Sequence, residues 1–203
     1  MSTRDTLTVG IFIFDDVEVL DFCGPLEVFS VSGAAGSPTP AAFSVKLIAE
    51  SLDPIATRGN MRVLPDYTLA DHPPLDILLV PGGPGTRHDV HNPRVIEWIA
   101  RSQPRVALAS VCTGALLLAE AGRLDNLEAT THAGSHDWLA RYERVTLRPE
   151  ARFVDNGFVL TSAGVSAGID MALHLVKRLV GAETAAWTAR VMEYDPCPAL
   201  PAV

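Results

Sequence analysis

The chain has 203 residues, of which 48% are hydrophobic and 20% charged, with 24 acidic against 16 basic side chains and a net charge of -8. That length buries a substantial core without disulfides, and the composition is that of an ordinary globular domain. Lys and Arg are scattered along an acidic chain, which argues against nucleic acid and against an anionic membrane surface as partners.

In chain order, residues 7–14 (LTVGIFIF) form a near-continuous apolar run, as in a parallel strand covered on both faces. Residues 15–24 read as a turn region. Residues 25–32 read as a helix with Pro25 in its first turn. A loop rich in Gly, Ala, Ser and Pro (33–40) precedes a second strand at 43–50. Gly59-Asn60 within residues 58–65 predicts a small hairpin. Residues 75–81 (LDILLVP) predict a buried strand closed by Gly82-Gly83-Pro84-Gly85, and residues 93–103 an amphipathic helix with Val95, Ile96 and Ile99 on one side. Residues 105–110 predict another buried strand. Gly114 permits a bend, and residues 115–121 are strongly helix-forming. A short strand (129–131), a short helix (135–142) and a hairpin around Asp155-Asn156-Gly157 (153–161) come next. A long helix (167–180), capped by Ser166, a last helix (182–193) and a Pro-rich tail (195–203) complete the chain.

Strands alternate with helices throughout, which predicts a three-layer α/β/α sandwich on a mainly parallel, flavodoxin-like sheet in one domain over residues 1–203, with a core of about 7–194. Ligands of such sheets bind beyond the carboxyl ends of the strands. The segments 15–25, 81–85 and 111–114 all fall there.

Three cysteines, Cys23, Cys112 and Cys197, cannot all pair within one chain and lack metal-ligand spacing, which fits a reducing, cytoplasmic setting. No signal-peptide pattern precedes the first strand. The longest uncharged run, 106–119, falls short of the roughly 18 residues a membrane span needs. Cys112 stands out because it lies where a strand hands over to a helix N-terminus, a position that favours a thiolate and carries the nucleophile of elbow-type enzymes. A small cysteine filling a gap in the core is the alternative.

Pro81-Gly82-Gly83, Ser110-Val-Cys112-Thr-Gly114-Ala, Ala129-Thr-Thr-His132 and Thr161-Ser-Ala-Gly-Val-Ser-Ala-Gly-Ile-Asp170 resemble the ThiJ/PfpI superfamily, which has the class I glutamine amidotransferase-like fold. The resemblance runs from Val9 to about Tyr194. Leu20-Asp21-Phe-Cys-Gly24-Pro25 and Ser-Val-Cys-Thr-Gly are most similar to the isocyanide hydratase branch and to the sensor domains of AraC-type regulators.

The resemblance implies a catalytic Cys112 with Asp21 beside its sulfur, where repulsion and burial would keep the carboxyl protonated as a general acid. A turn or capping role is the local alternative for Asp21. It implies Gly83 and the Thr113 N–H as oxyanion donors, where plain turn chemistry is the other reading. It also implies His132 as a substrate-pocket residue or base, or else a hydrogen-bonded structural histidine. Thr113 replaces the histidine that follows the cysteine in protease-like members, which counts against a peptidase. His132 and His136 are four apart, but no Glu follows His132 and no third ligand is evident, so no metal is expected. Asp170 would meet its helix dipole or order a neighbouring loop.

Cys23 lies near the proposed pocket without an elbow of its own. Trp98, Trp138 and Trp187 are too widely spaced for an aromatic platform. The implied activity is a cofactor-free, cysteine-dependent hydration of an isocyanide, a small electrophilic substrate, by a homodimer. A glyoxalase-like enzyme acting on methylglyoxal through Asp21, Cys112 and His132, and a redox or ligand sensor, are the alternatives.

Overall fold

The computed structural model describes residues 6–196. Cys197 and nearly all of the Pro-rich tail lie outside them, as do residues 1–5, where a leader would begin. Among the described residues no helix is long and apolar enough to cross a membrane.

The sheet grows outward from β1 (Leu7–Phe12). On one side β1 pairs in parallel with β2 (Phe43–Ala49), Leu7 opposite Phe43, and on the other with β6 (Ile77–Val80), Val9 opposite Ile77. β6 is followed by β7 (Ala107–Val111), then β11 (Val159–Ser162), both parallel, and β10 (Phe153–Asp155) closes that edge antiparallel. The short β5 (Tyr67–Thr68) closes the other, so the order is β10-β11-β7-β6-β1-β2-β5. β6 and β7 are buried at every position. Fully buried side chains such as Leu78, Leu79 and Leu108 each contribute roughly 2 kcal/mol. At the opposite pole, buried Asp76 accepts the Thr8 N–H at 2.8 Å and pairs with Arg105, tying β1 and the segment before β7 to the start of β6.

The crossover after β1 moves one way along the sheet and the crossover after β6 moves the other. Right-handed connections therefore put their helices on opposite faces. α1 (Val19–Ser32) packs with α6 (Ala167–Val180) and α7 (Ala182–Val191). Against the other face, α4 (Gly114–Glu120) contacts α2 (Thr86–Asp89), α3 (Pro93–Arg101) and α5 (His136–Leu139). The strand order thus reverses between β1 and β6, and that switch point opens a crevice at their carboxyl ends.

Several predicted elements are corrected. The first strand ends at Phe12, and the helix after it begins at Val19, so the turn region shrinks and Asp21 sits in the first turn of α1. Pro25 is therefore inside the helix. It removes one backbone bond, the one its N–H would have made to the Asp21 carbonyl, and the helix continues because Phe22, Pro25, Val28 and Phe29 are buried. Ser166 does not cap α6 with its side chain; its Oγ accepts from Arg152 instead. α2, β5 and the two-residue β9 (Thr146–Leu147), paired with β8 (Glu128–Ala129), were not expected. The 58–65 hairpin begins earlier, with β3 (Ile55–Ala56) against β4 (Arg62–Val63), and folds back to the post-β1 loop through the Asp16 N–H on the Ala56 carbonyl, 2.8 Å.

Gly114 is not the bending residue. It allows the first turn of α4 to press against the end of β6, because a Cβ there would lie 2.1 Å from the Val80 carbonyl oxygen. Gly114→Ala is expected to destabilise the protein by about 1–3 kcal/mol, the usual cost of overpacking. A urea denaturation midpoint equal to that of the parent would contradict this contact.

Candidate active site

The bend between β7 and α4 is made by Cys112, whose φ is 57°. A non-glycine residue in this left-handed region costs about 1–3 kcal/mol and persists only where its surroundings hold it. Here the surroundings do so from both sides. The Cys112 N–H is shared between the carbonyls of Ser162 and Ala163, at 3.1 and 3.2 Å. Its carbonyl accepts the Thr131 hydroxyl at 2.7 Å. This is the strained strand-to-helix turn that projects a nucleophile over the end of a sheet.

Asp21 reaches the same point from α1. It is completely buried, and Oδ2 accepts the Gly82 N–H at 3.0 Å. Oδ1 is buried with no hydrogen-bond partner among the described residues, although Cys112 lies close enough for each group to alter the other's proton affinity. Gly82 is required where it stands: a Cβ would come within 2.5 Å of the Thr113 nitrogen and 2.9 Å of Asp21 Oδ2. Three strand ends, after β1, β6 and β7, thus meet with no spare volume.

Burial pushes Asp21 up to about 7, and the nearby Glu18 charge adds to the rise. Cys112 departs from its expectation. Burial first, and then the Asp21 carboxylate, push its thiol up to about 12, although the backbone N–H groups of Thr113 and Val165 favour the anion. The seven-residue α4 does not outweigh the loss of solvent around a cysteine that is only 6% exposed. The two acids titrate as a pair. With the carboxyl near 7 and the thiol well above it, the thiol keeps its proton near neutrality while Asp21 titrates.

The other expected residues are placed as follows. The Gly83 N–H is not free for an oxyanion: it donates to Thr113 Oγ1 at 2.9 Å, and Thr86 Oγ1 lies 3.1 Å from that same hydroxyl. The Thr113 side chain is therefore a tie between α4 and the glycine turn, while its N–H faces the sulfur. His132 follows β8 and heads a single 3-10 turn (Ala133–Ser135). It is exposed, with Nδ1 accepting the Gly134 N–H at 3.1 Å. Among the described residues no hydrogen bond joins it to Cys112; its neighbour Thr131 makes that connection.

Cys23 lies on α1, packed against the core, and burial raises its thiol. Trp98 packs against Phe12 and His72. Asp170 pairs with Arg152 and accepts the Tyr194 hydroxyl at 3.2 Å, so it ties α6 to the segments before β10 and after α7. The residue that sequence reasoning missed is Val165, a β-branched residue at φ 50° whose N–H meets the sulfur. Nothing in its local sequence signals that conformation; only the Ser-Ala-Gly-Val-Ser segment as a whole marked the region.

A mostly parallel sheet flanked by helices, with a cysteine on a strained elbow and a buried acid against it, defines the class. The chain matches the DJ-1/PfpI family over residues 7–178 and belongs to it. It is 36% identical, over 95% of its length and 80% of the relative's, to an isonitrile hydratase of Pseudomonas putida. It is 31% identical to the transcriptional regulator GbdR of Pseudomonas aeruginosa, over 67% of this chain but 37% of the regulator. The fold superposes on a ThiJ/PfpI family protein from Pseudomonas syringae with a TM-score of 0.85 at 28% identity, covering 97% of this chain and 78% of that one.

Two outcomes test the coupled pair. Asp21 is held near 7 in the fold against 3.8 for the unperturbed group. The stability gained from its protonated form is complete below the lower value and lost as pH rises through the upper one. Asp21→Asn should therefore flatten the fall in melting temperature between pH 4 and 7. The same substitution removes a negative charge from beside the sulfur, so the pH midpoint for iodoacetamide alkylation of Cys112 should move down. An unmoved midpoint would mean that the two groups do not interact.

Proposed function

We propose that this protein is a cysteine-dependent isocyanide hydratase that converts an isocyanide to an N-substituted formamide. The observation that carries the reading is the buried Asp21 carboxyl beside the Cys112 thiol at the elbow, two groups close enough to shift each other's proton affinity. The similarity to an isonitrile hydratase over nearly the whole chain supports the same substrate class.

Hydration of R–N≡C needs a nucleophile for the terminal carbon and a proton delivered to that same carbon. Proton transfer from Cys112 to Asp21 produces both. The thiolate forms the S–C bond, and Asp21 protonates the carbon, giving a thioimidate, R–N=CH–S–Cys112, and an Asp21 carboxylate. That carboxylate takes a proton from water as the oxygen attacks the thioimidate carbon, then passes it to the nitrogen. Collapse of the tetrahedral adduct breaks the C–S bond. The hydroxyl proton returns to Asp21, and the formamide leaves.

One hard addition thus becomes two easier ones, with a single carboxyl shuttling the proton. A group poised near 7 suits a role that alternates between acid and base. The N–H groups of Thr113 and Val165 stabilise the sulfur as the thiolate forms and again as it leaves. The spent Gly83 N–H puts oxyanion stabilisation by that residue outside this scheme. The exposed position of His132 weighs against a methylglyoxal reaction that would use it as the base.

The test is turnover of an aromatic isocyanide, with the formamide followed by mass spectrometry. Cys112→Ala is expected to abolish turnover. Asp21→Ala should lower kcat by roughly 100-fold or more, within the usual range for lost general acid–base catalysis. Parent-like rates in both variants, or turnover of methylglyoxal with none of isocyanide, would remove the proposal.

A further inference from the structure

The Val165 N–H that meets the Cys112 sulfur belongs to a residue in a conformation it would not hold alone. A β-branched side chain at φ 50° is a genuine outlier. Val165 lies in the short connection 163–166 between β11 and α6. Its N–H is carried by the peptide it shares with Gly164, and a peptide next to glycine turns readily unless both sides of it are fixed.

Arg152 fixes both sides. The antiparallel pairing of β10 with β11, Phe153 opposite Ser162, runs one step further, and the Ala163 N–H donates to the Arg152 carbonyl at 2.9 Å. The side chain of the same residue reaches the far end of the connection. There a terminal N–H of the guanidinium donates to Ser166 Oγ at 3.2 Å, and Nε donates to Asp170 Oδ2 at 2.5 Å in the first turn of α6. A planar fork suits this task, because its donors point in fixed directions at two separate acceptors. The Tyr194 hydroxyl holds the other Asp170 oxygen at 3.2 Å, so that acceptor is itself anchored.

The remaining sides of the connection are closed. The Ala163 carbonyl accepts the Cys112 N–H at 3.2 Å. A Cβ on Gly164 would lie 2.4 Å from His132 Cδ2, so the imidazole fills the space over that residue. Among these contacts, those of Arg152 grip the connection before and after Val165. The guanidinium is spent on Ser166 and Asp170, so its positional effect on the sulfur passes through the connection.

We propose that Arg152 is a positioning residue for Cys112: it brackets residues 163–166 and so keeps the Val165 N–H on the sulfur. The inference rests on the hydration reading only for its effect on turnover.

The rate of Cys112 alkylation by iodoacetamide at pH 8, followed at that residue by mass spectrometry, tests this. Losing an N–H donor lowers the thiolate fraction, an effect partly offset by the greater nucleophilicity of a more basic sulfur. Arg152→Met is expected to slow alkylation roughly three- to tenfold, the net effect of losing one hydrogen bond to an anion. Ser166→Ala removes the same grip without changing any charge, and should slow it about twofold or more. A parent-like rate in Ser166→Ala beside a slowed Arg152→Met would assign the effect to charge and overturn the proposal. Faster alkylation in either variant overturns it too, because the contact would then merely keep the site closed. Should Arg152→Met fail to fold, Ser166→Ala alone decides. With an aromatic isocyanide, Arg152→Met should lower kcat and leave KM unchanged. Absence of turnover in the parent would remove the hydratase reading, while the alkylation rates would still decide the role of Arg152.

Discussion

The arrangement depends on one constraint, the close approach of three strand ends. The loops after β1, β6 and β7 meet at distances that leave no room for a Cβ at Gly82 or Gly114, and this forces Cys112 into a left-handed turn. The strain is held by bonds that the rest of the fold supplies: the carbonyls of Ser162 and Ala163 at the end of β11, and the Thr131 hydroxyl beyond β8. The strained cysteine turn is thus a property of the whole sheet. The residues that hold it lie 19 to 51 positions further along the chain, brought beside it by the parallel pairing of β7 with β11.

Electrostatics at the elbow follow from the same crowding. Excluding water from the space between α1 and the β7–α4 turn raises the proton affinity of both Asp21 and Cys112, since each anion loses its hydration, and the Asp21 charge raises the thiol further. An isolated helix N-terminus would lower a thiol. Here desolvation is the larger effect, and the sulfur rests as a thiol.

Much of the architecture was legible in the amino-acid sequence because burial on both faces of a parallel sheet leaves an unbroken apolar run, as in Ile77–Val80 and Ala107–Val111. The Gly59-Asn60 and Asn156-Gly157 turns were equally plain, since their backbone demands are local. The Cys112 elbow and the candidacy of Asp21 came from motifs in the sequence. What it could not reveal was decided by contacts between distant segments. α1 runs through Pro25 because packing outweighs one lost backbone bond. The left-handed Cys112 and Val165 exist only because neighbouring strand ends press on them. The Gly83 N–H is spent on a hydroxyl 30 residues away. The thiol is raised where position on a helix alone would lower it, because dielectric surroundings belong to the assembled fold and to no single stretch of residues.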